Sequence, residues 1–401
     1  MINLEVPKKF RTLVDQAHQA AAQVFRPISR KYDEAEHTYP QELDMLAALL
    51  DGLNASGQGA GAGGVRRGSG DGAKGVRNGT NLSLVLGTIE MCWGDAGLLL
   101  AMPRQGLGNA AIASVADDEQ QKRFAGKWAA MAITEPDTGS DSGAIRATAV
   151  LDGDHYVLNG EKIFVTSGER ADAVVVWATL DRARGKAAIK SFVVEKGTPG
   201  FEVVRLEHKL GIRASDTAHF RLENVRVPKE NLLGSPDIQT DKGFAGVMQT
   251  FDNTRPLVAA MAVGIARAAL EETRRGLSQA GVEVDFDHPA NNQPAAAATF
   301  LQMEADWEAA YLLTLEAAWM ADNAKPNSLE ASMAKAKAGR SAVDITLRCV
   351  ELLGSVGYTE GELLEKWARD AKIMDIFEGT QQIQQLIVAR RLLGKTSAEL
   401  K

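Results

Sequence analysis

The sequence predicts a multidomain α+β chain: a helical N-terminal domain, a middle antiparallel β-barrel and a C-terminal helical bundle. Two observations carry that expectation. At 401 residues the chain is too long for one small core. Its hydrophobic period is helical at both ends and strand-like between them, with domains expected at 1–129, 130–240 and 241–401.

In the N-terminal part Phe10, Leu13, Val14, Ala17, Ala21 and Val24 recur at helical spacing, and Pro40 is placed to start a second helix at Gln41 and Glu42. Residues 51–80 are rich in glycine and poor in apolar side chains. Such a segment buries too little surface to offset its ordering entropy, so a flexible loop is expected. It holds a formal G-x-G-x-x-G at Gly59, Gly61 and Gly64, but no strand precedes it and no good helix start follows, which excludes the dinucleotide reading. Helical pattern resumes over 81–101 and 117–128.

The middle region reads as short β-prone runs from Ala147 onward. Asp152-Gly153-Asp154 and Asn159-Gly160 are hairpin signals, and further strands are expected over 173–180, 189–194, 201–206 and 217–227. Regularly spaced strands with turns between them suggest a small barrel or sandwich. After Pro228 and Gly234 the helical period returns, with helices expected over 243–279, 294–323, 328–353, 360–372 and 381–393. Their lengths fit a bundle. Gly394-Lys395-Thr396 is not a phosphate loop, because Ala389 stands where such a loop needs its first glycine and a helix precedes it.

Composition bounds the function. The chain is 45% hydrophobic and 24% charged, as ordinary globular proteins are. A net charge of −7 without a basic block argues against nucleic acid as the main partner, yet leaves room for local basic patches. Cys92 and Cys349 lie far apart, so neither a disulfide framework nor a zinc site is indicated. The start MINLEVPKKF lacks a signal-peptide core and no long apolar run appears, so no membrane span and a cytoplasmic location are expected. His18, His37, His155, His208, His219 and His288 show no ligand spacing, and no metal is assigned.

Three stretches carry chemistry. In Ile376-Phe377-Glu378-Gly379-Thr380-Gln381 a carboxylate stands on a tight corner beside apolar residues. Partial desolvation would make Glu378 a general base; a solvated helix end is the competing reading. Met131 to Asp141, with Thr134, Gly139 and Ser140, is a loop rich in hydroxyls and backbone N–H groups that would suit phosphate or ring heteroatoms, or be plain surface. In Ile163-Phe164-Val165-Thr166-Ser167-Gly168 the alternation of a strand puts Phe164 and Thr166 on one face, an aromatic cover beside a hydroxyl. An ordinary strand end reads the same way.

Together with Phe251-Asp252-Asn253-Thr254-Arg255-Pro256 and the Ala/Val-rich helix after it, these stretches resemble the signatures of the acyl-CoA dehydrogenases, in the family's order and spacing, from about Leu98 to Leu393. The Gly-rich insert has no counterpart there. The resemblance implies FAD bound between the β domain and the C-terminal bundle. It implies flavin contacts from Met131, Ile133, Thr134, Gly139, Ser140, Phe164, Val165 and Thr166, with Thr380 and Gln382 toward the adenylate side. Ser140, Asp252, Arg255 and the Gly379 backbone would meet the acyl-CoA substrate, Asp252 and Arg255 along the pantetheine channel. Glu378 would remove the α-proton while the β-hydride passes to flavin N5 near Thr166, and electrons would leave to an electron-transfer flavoprotein.

Two departures from the family pattern set the expected assembly. Where members carry an Arg-x-x-Phe-Gly segment that reaches a neighbour's FAD, this chain has Ala280 within Ser278 to Val284, and Glu351 stands where a Gln usually precedes a Leu-Gly-Gly turn. At an effective dielectric of about 20, a carboxylate about 4 Å from a diphosphate charge is repelled by about 4 kcal/mol. The expectation is a hetero-oligomer, α2β2, in which a homologous acyl-CoA dehydrogenase subunit supplies the missing arginine. The alternatives are a homotetramer in which Arg274 or Arg275 reaches the phosphates, a largely structural partner subunit, and an acyl-CoA oxidase.

Overall fold

The computed structural model describes residues 6–55, 76–103, 106–238, 245–396 and 399. Helices α1 (Arg11–Ala20) and α2 (Arg26–Glu34) are joined without a break by a π-helical turn, Ala21–Phe25. Then follow α3 (Glu42–Ala55), α4 (Thr80–Gly94), α5 (Ala96–Ala101), α6 (Leu107–Val115) and α7 (Asp118–Arg123). The helix α3 continues to Ala55, five residues into the stretch expected to be loop; Gly59, Gly61 and Gly64 lie outside the described residues. The helix expected over 81–101 is broken at Asp95, whose extended backbone ends α4 and whose carboxylate caps α5 by accepting the Leu98 N–H at 2.8 Å. The helix expected over 117–128 stops at Arg123 after an Asp117/Gln120 capping box.

Gly79 precedes α4 and has no side chain to cap it. Asp322, the last residue of a helix far along the chain, does so instead: its carboxylate accepts the N–H groups of Gly79 (2.7 Å), Asn81 (2.9 Å) and Leu82 (3.1 Å). Asn323 adds a two-way bond to the Arg77 backbone. Asp322→Ala should therefore lower stability by about 1–3 kcal/mol, since it strands three backbone donors; a shift of the denaturation midpoint measures it.

The strands are β1 (Ala129–Ala132), β2 (Thr148–Asp152), β3 (His155–Thr166), β4 (Ala173–Thr179), β5 (Ile189–Glu195), β6 (Phe201–Leu206) and β7 (Thr217–Pro228). They form one curled sheet of order β1-β4-β2-β3-β7-β6, with β5 also on β4. It is mostly antiparallel, but β1 runs parallel to β4, from Ala129 opposite Ala173 to Ala132 opposite Val176. The Ala-rich β1 has no strand signature of its own; pairing with β4 decides it. The uninterrupted apolar run of β4 is explained by burial on both faces. Val174, Val176 and Ala178 enter the core of the curled sheet, while Val175 and Trp177 enter a second core with Ile112, Phe124 and Leu233.

Gly153 (φ 63) and Asp154 close the β2–β3 hairpin as expected. Asn159-Gly160 does not turn the chain. It is a bulge inside the twelve-residue β3, where Gly160 at φ 146 passes so close to Ala147 that an added Cβ would lie 2.8 Å from its Cα.

The C-terminal helices are α8 (Ala245–Gln279), α9 (Ala295–Asp322), α10 (Ser328–Leu353), α11 (Ser355–Tyr358), α12 (Leu364–Met374) and α13 (Gln381–Leu393). The helix expected over 360–372 is thus shifted to Leu364–Met374 behind a separate short turn. The bundle core draws on α4, α8, α9, α10 and α12, and small residues set its spacing. Ala331, Ala334, Ala338 and Ala342 line one face of α10, and a Cβ on Gly264 would sit 2.4 Å from the Ile89 carbonyl. No helix of the described residues is long and apolar enough to cross a membrane.

A buried charge cluster ties the N-terminal helices, the β region and the bundle together. Lys366 of α12, 1% exposed, lies 2.7 Å from Asp95 and 2.5 Å from Asp370, both fully buried. Asp95 also accepts from Ser29 of α2, and Asp370 accepts the Ile212 N–H at 2.5 Å. The two carboxylates hold the Lys366 ammonium protonated well above its ordinary range despite its burial.

Candidate active site

Glu378 stands on the corner between α12 and α13. Its backbone is left-handed (φ 57), as is that of Gly379 (φ 93), a conformation that costs a non-glycine residue roughly 1–2 kcal/mol. Neighbouring helices hold it there. The Gln384 side-chain amide on α13 donates to the carbonyls of Glu378 (3.0 Å) and Gly379 (3.1 Å), and Lys335 on α10 donates to the Gly379 carbonyl at 2.7 Å. Thr380 caps α13 by accepting the Ile383 N–H, and Gln382 is exposed on the first turn.

The Glu378 carboxylate accepts a hydrogen bond from the Thr254 hydroxyl of α8 at 2.7 Å. Dense packing around it pushes its pKa above the ordinary glutamate value. The Thr254 bond and the charges of Arg255 and Lys335 pull the other way, and burial prevails. A carboxylate raised in pKa is a stronger proton acceptor than an ordinary one. Arg255 is only 2% exposed and acts on Glu378 through its charge. The Asp252 side chain lies outside the described residues.

The second cluster is on the sheet. Leaving β1, the chain reaches Thr134, whose carbonyl accepts the Ile163 N–H of β3 at 2.9 Å. A buried ion pair fixes this junction: Lys162 lies 2.7 Å from Glu135 and 3.1 Å from the Ile133 carbonyl, and Glu135 also accepts the N–H groups of Arg146 (2.6 Å) and Ala147 (2.9 Å). Burial lowers the Lys162 pKa to about 8 against the pull of Glu135. The junction thereby brings the Met131–Ser140 loop alongside Phe164 and Thr166, which no linear pattern could establish.

Simple alternation does not place Phe164 and Thr166. A bulge between Lys162 and Val165 interrupts β3, with Phe164 left-handed at φ 57. Lys162 and Val165 turn inward, while the Phe164 ring stays 60% exposed beside the partly exposed Thr134 and Thr166. Ile133 and Val165 bury their side chains in the sheet cores, so only their backbones can meet a ligand. Gly139 and Ser140 are exposed, and a Cβ at Gly139 would meet nothing nearer than Thr134 Cγ2 at 4.0 Å. A large ring left outside the core, on a strand end that also carries a partly exposed hydroxyl, suits a planar heteroaromatic ligand with polar rim atoms.

Sequence reasoning missed Lys335 and Gln384, which contact the corner across 44 and 5 positions, and gave Thr254 no role. Elsewhere the fold brings ligand atoms of Glu36, His37 and His208 within 4.8 Å of one another, which histidine spacing does not announce. His208 and Glu36 lie in hydrogen-bond contact at 2.8 Å, and the ammonium of Lys209 acts on Glu36.

Known proteins agree with this anatomy. Residues 130–225 match the model of the acyl-CoA dehydrogenase middle domain and 241–393 that of the acyl-CoA dehydrogenase C-terminal domain. The short-chain-specific acyl-CoA dehydrogenase of Clostridium acetobutylicum is 34% identical over 376 residues, covering 92% of this chain and 93% of that protein. Butyryl-CoA dehydrogenase from Megasphaera elsdenii superposes with a TM-score of 0.82 at 29% identity, covering 98% of this chain and 100% of that one. A glutaryl-CoA dehydrogenase from Mycobacterium smegmatis, solved in complex with FADH2, gives 0.81 at 25% identity over 98% and 96% of the chains. Exposed Phe164 and the partly exposed hydroxyl-bearing Thr134 and Thr166 are chemically compatible with a flavin ring, and FAD is the cofactor of this fold. Sequence, fold and site chemistry converge on one assignment: the chain belongs to the acyl-CoA dehydrogenase family of flavin-dependent oxidoreductases.

Proposed function

We propose that the chain desaturates the α,β-bond of an acyl-CoA thioester with Glu378 as base. The observation that carries this reading is the carboxylate itself, desolvated, raised in pKa and aimed by Thr254. When bound, FAD supplies the hydride acceptor at N5 of its ring. Thr134, Thr166 and the backbones of Met131, Ile133 and Val165 would hold the flavin edge, Phe164 would cover one face, and Gly139 and Ser140 would reach toward phosphate and substrate. Thr380 and Gln382 would serve the adenylate side.

Glu378 takes the α-proton as the thioester becomes enolate-like, and the backbone N–H at the Glu378–Gly379 corner would stabilise the charge on the thioester oxygen. Anaerobic addition of butyryl-CoA to the purified flavoprotein should bleach the flavin absorbance. Persistent oxidised flavin with butyryl-CoA and with longer acyl-CoAs counts against the reading. Slow reoxidation by air and fast reoxidation by an electron-transfer flavoprotein would separate a dehydrogenase from an oxidase.

A specific observation supports a heteromeric assembly. Gly281 (φ 78) closes α8 with the Val282 N–H bonded to the Leu277 carbonyl at 2.8 Å, which leaves Ala280 exposed where an arginine would project. Both substitute arginines are engaged: Arg274 stacks 5.0 Å over the Phe286 ring, and Arg275 pairs with Glu272 and Glu362. Glu351 is exposed near the end of α10. We infer an α2β2 complex with a homologous subunit that contributes the arginine side. Purification from the native host should yield that partner at half FAD occupancy; a homotetramer with one FAD per chain overturns it.

A further inference from the structure

Lys335 is out of place by the ordinary rules of burial. It sits on the α10 face that packs into the bundle core, between Ala331, Ala334 and Ala338, with no exposed surface. Among the described residues its ammonium lies within ion-pairing distance of no carboxylate, and its hydrogen bond goes to the Gly379 carbonyl at 2.7 Å. A buried ammonium with one of three donors satisfied costs stability that a methionine or leucine would not. Gln384 is likewise fully buried, and its amide spans the two carbonyls of Glu378 and Gly379.

We propose that Lys335 and Gln384 are positioning residues for proton abstraction, a two-sided clamp that holds the Glu378–Gly379 backbone in its left-handed turn and presents the carboxylate and the Gly379 N–H to substrate. Peptide geometry supports the second half. A peptide group is planar and trans, so a Glu378 carbonyl drawn toward α13 turns the Gly379 N–H the opposite way. That N–H finds no acceptor among the described residues. The clamp also explains why Gly379 must be glycine: at φ 93 an added Cβ would lie 2.5 Å from the Gln384 amide nitrogen.

Lys335 differs from Gln384 in carrying charge. The groups that face it are Glu378 and Asp375 on the corner and Arg255 of α8; Asp375 is itself paired with Lys372 (3.2 Å) and Arg340 (3.3 Å). The ammonium favours the ionised form of Glu378, and burial lowers its own pKa to about 8. Removal of Lys335 therefore raises the pKa of the base, whereas removal of Gln384 disturbs only its position.

This inference rests on Glu378 being the base, so Glu378→Gln accompanies the test. Lys335→Met and Gln384→Met holoenzymes are compared with the parent for flavin content, Tm, kcat and KM with butyryl-CoA, and the pH profile of kcat/KM. Both variants should keep flavin and KM and lose kcat on the order of 10- to 100-fold, the usual result of a small misplacement. Lys335→Met alone should move the acidic limb to higher pH. Parental kcat and an unmoved limb in both variants, with Glu378→Gln inactive, overturn the clamp and spare the base assignment. An active Glu378→Gln overturns the base assignment and the clamp with it. Kcat that falls only in step with flavin loss in both variants also overturns the clamp. If Lys335→Met does not fold, Gln384→Met decides: a tenfold or greater loss of kcat at parental flavin content supports the clamp, and parental kcat overturns it.

Discussion

Glu378→Gln should leave folding and flavin content intact and lower the rate of substrate-driven flavin bleaching by at least about 10²- to 10⁴-fold, the usual contribution of a positioned acid or base. The substitution is nearly isosteric. The Gln carbonyl can still accept from Thr254, and the left-handed corner is held through backbone carbonyls that the change does not touch. What disappears is the charge and the lone pair that takes the α-proton. The same carboxylate sets the pH dependence. Its pKa is raised, so kcat/KM should climb with pH along a limb displaced above the ordinary glutamate range, because the protonated form cannot act as base. The sign for stability is opposite. A carboxyl whose folded pKa exceeds its unfolded value binds more protons when folded, so this group favours the native state at low pH and the contribution is lost as pH rises through the raised pKa. Glu378→Gln should flatten both dependences, read by anaerobic stopped-flow and by denaturation across pH. Unchanged turnover removes Glu378 from the mechanism.

Lys366→Met should cost about 3–5 kcal/mol, the usual result of leaving a buried charge without its partner. The lysine is the only cation within ion-pairing distance of both Asp95 and Asp370 among the described residues, and neither carboxylate has exposed surface. Without it two like charges face each other in the core. The cluster also joins the parts of the chain: Ser29 on α2, Asp95 at the α4–α5 break, Ile212 before β7 and Asp370 on α12 all meet there. Destabilisation should therefore appear as loss of cooperative docking of the N-terminal helices, together with lower flavin retention. Two ionised carboxylates left together in a desolvated core repel, so the variant's deficit should shrink as pH falls and widen as pH rises. Chemical denaturation of parent and variant at two pH values measures this; equal midpoints at both would show that the cluster contributes nothing.

The candidate site's local motifs were legible because their residues lie close together in sequence. Glu378, Gly379 and Thr380 are consecutive, and Phe164 and Thr166 share one strand end. The Lys335 and Thr254 contacts to the same corner were not, since 44 and 124 positions separate the partners and nothing local marks a lysine in an alanine-rich helix face as a ligand of a distant carbonyl.

By itself the sequence determined what depends on neighbours along the chain. The helical period laid out α8, α9, α10 and α13 to within a few residues, turn residues and β-prone runs laid out β2 and β4 to β7, and the corner motif marked the turn at Glu378. Only the tertiary structure decided the rest. Pairing with β4 made a strand of the alanine-rich β1. Asn159-Gly160 became a bulge because Ala147 lies against it, and Phe164 faces outward because β3 is interrupted at Lys162. The physical reason is common to all three: hydrogen-bond pairing, close approach and burial are set by residues far apart in the chain, so no local propensity encodes them. The raised pKa of the Glu378 carboxyl belongs to the same class, since it follows from packing by α8, α10 and α13 around one carboxylate.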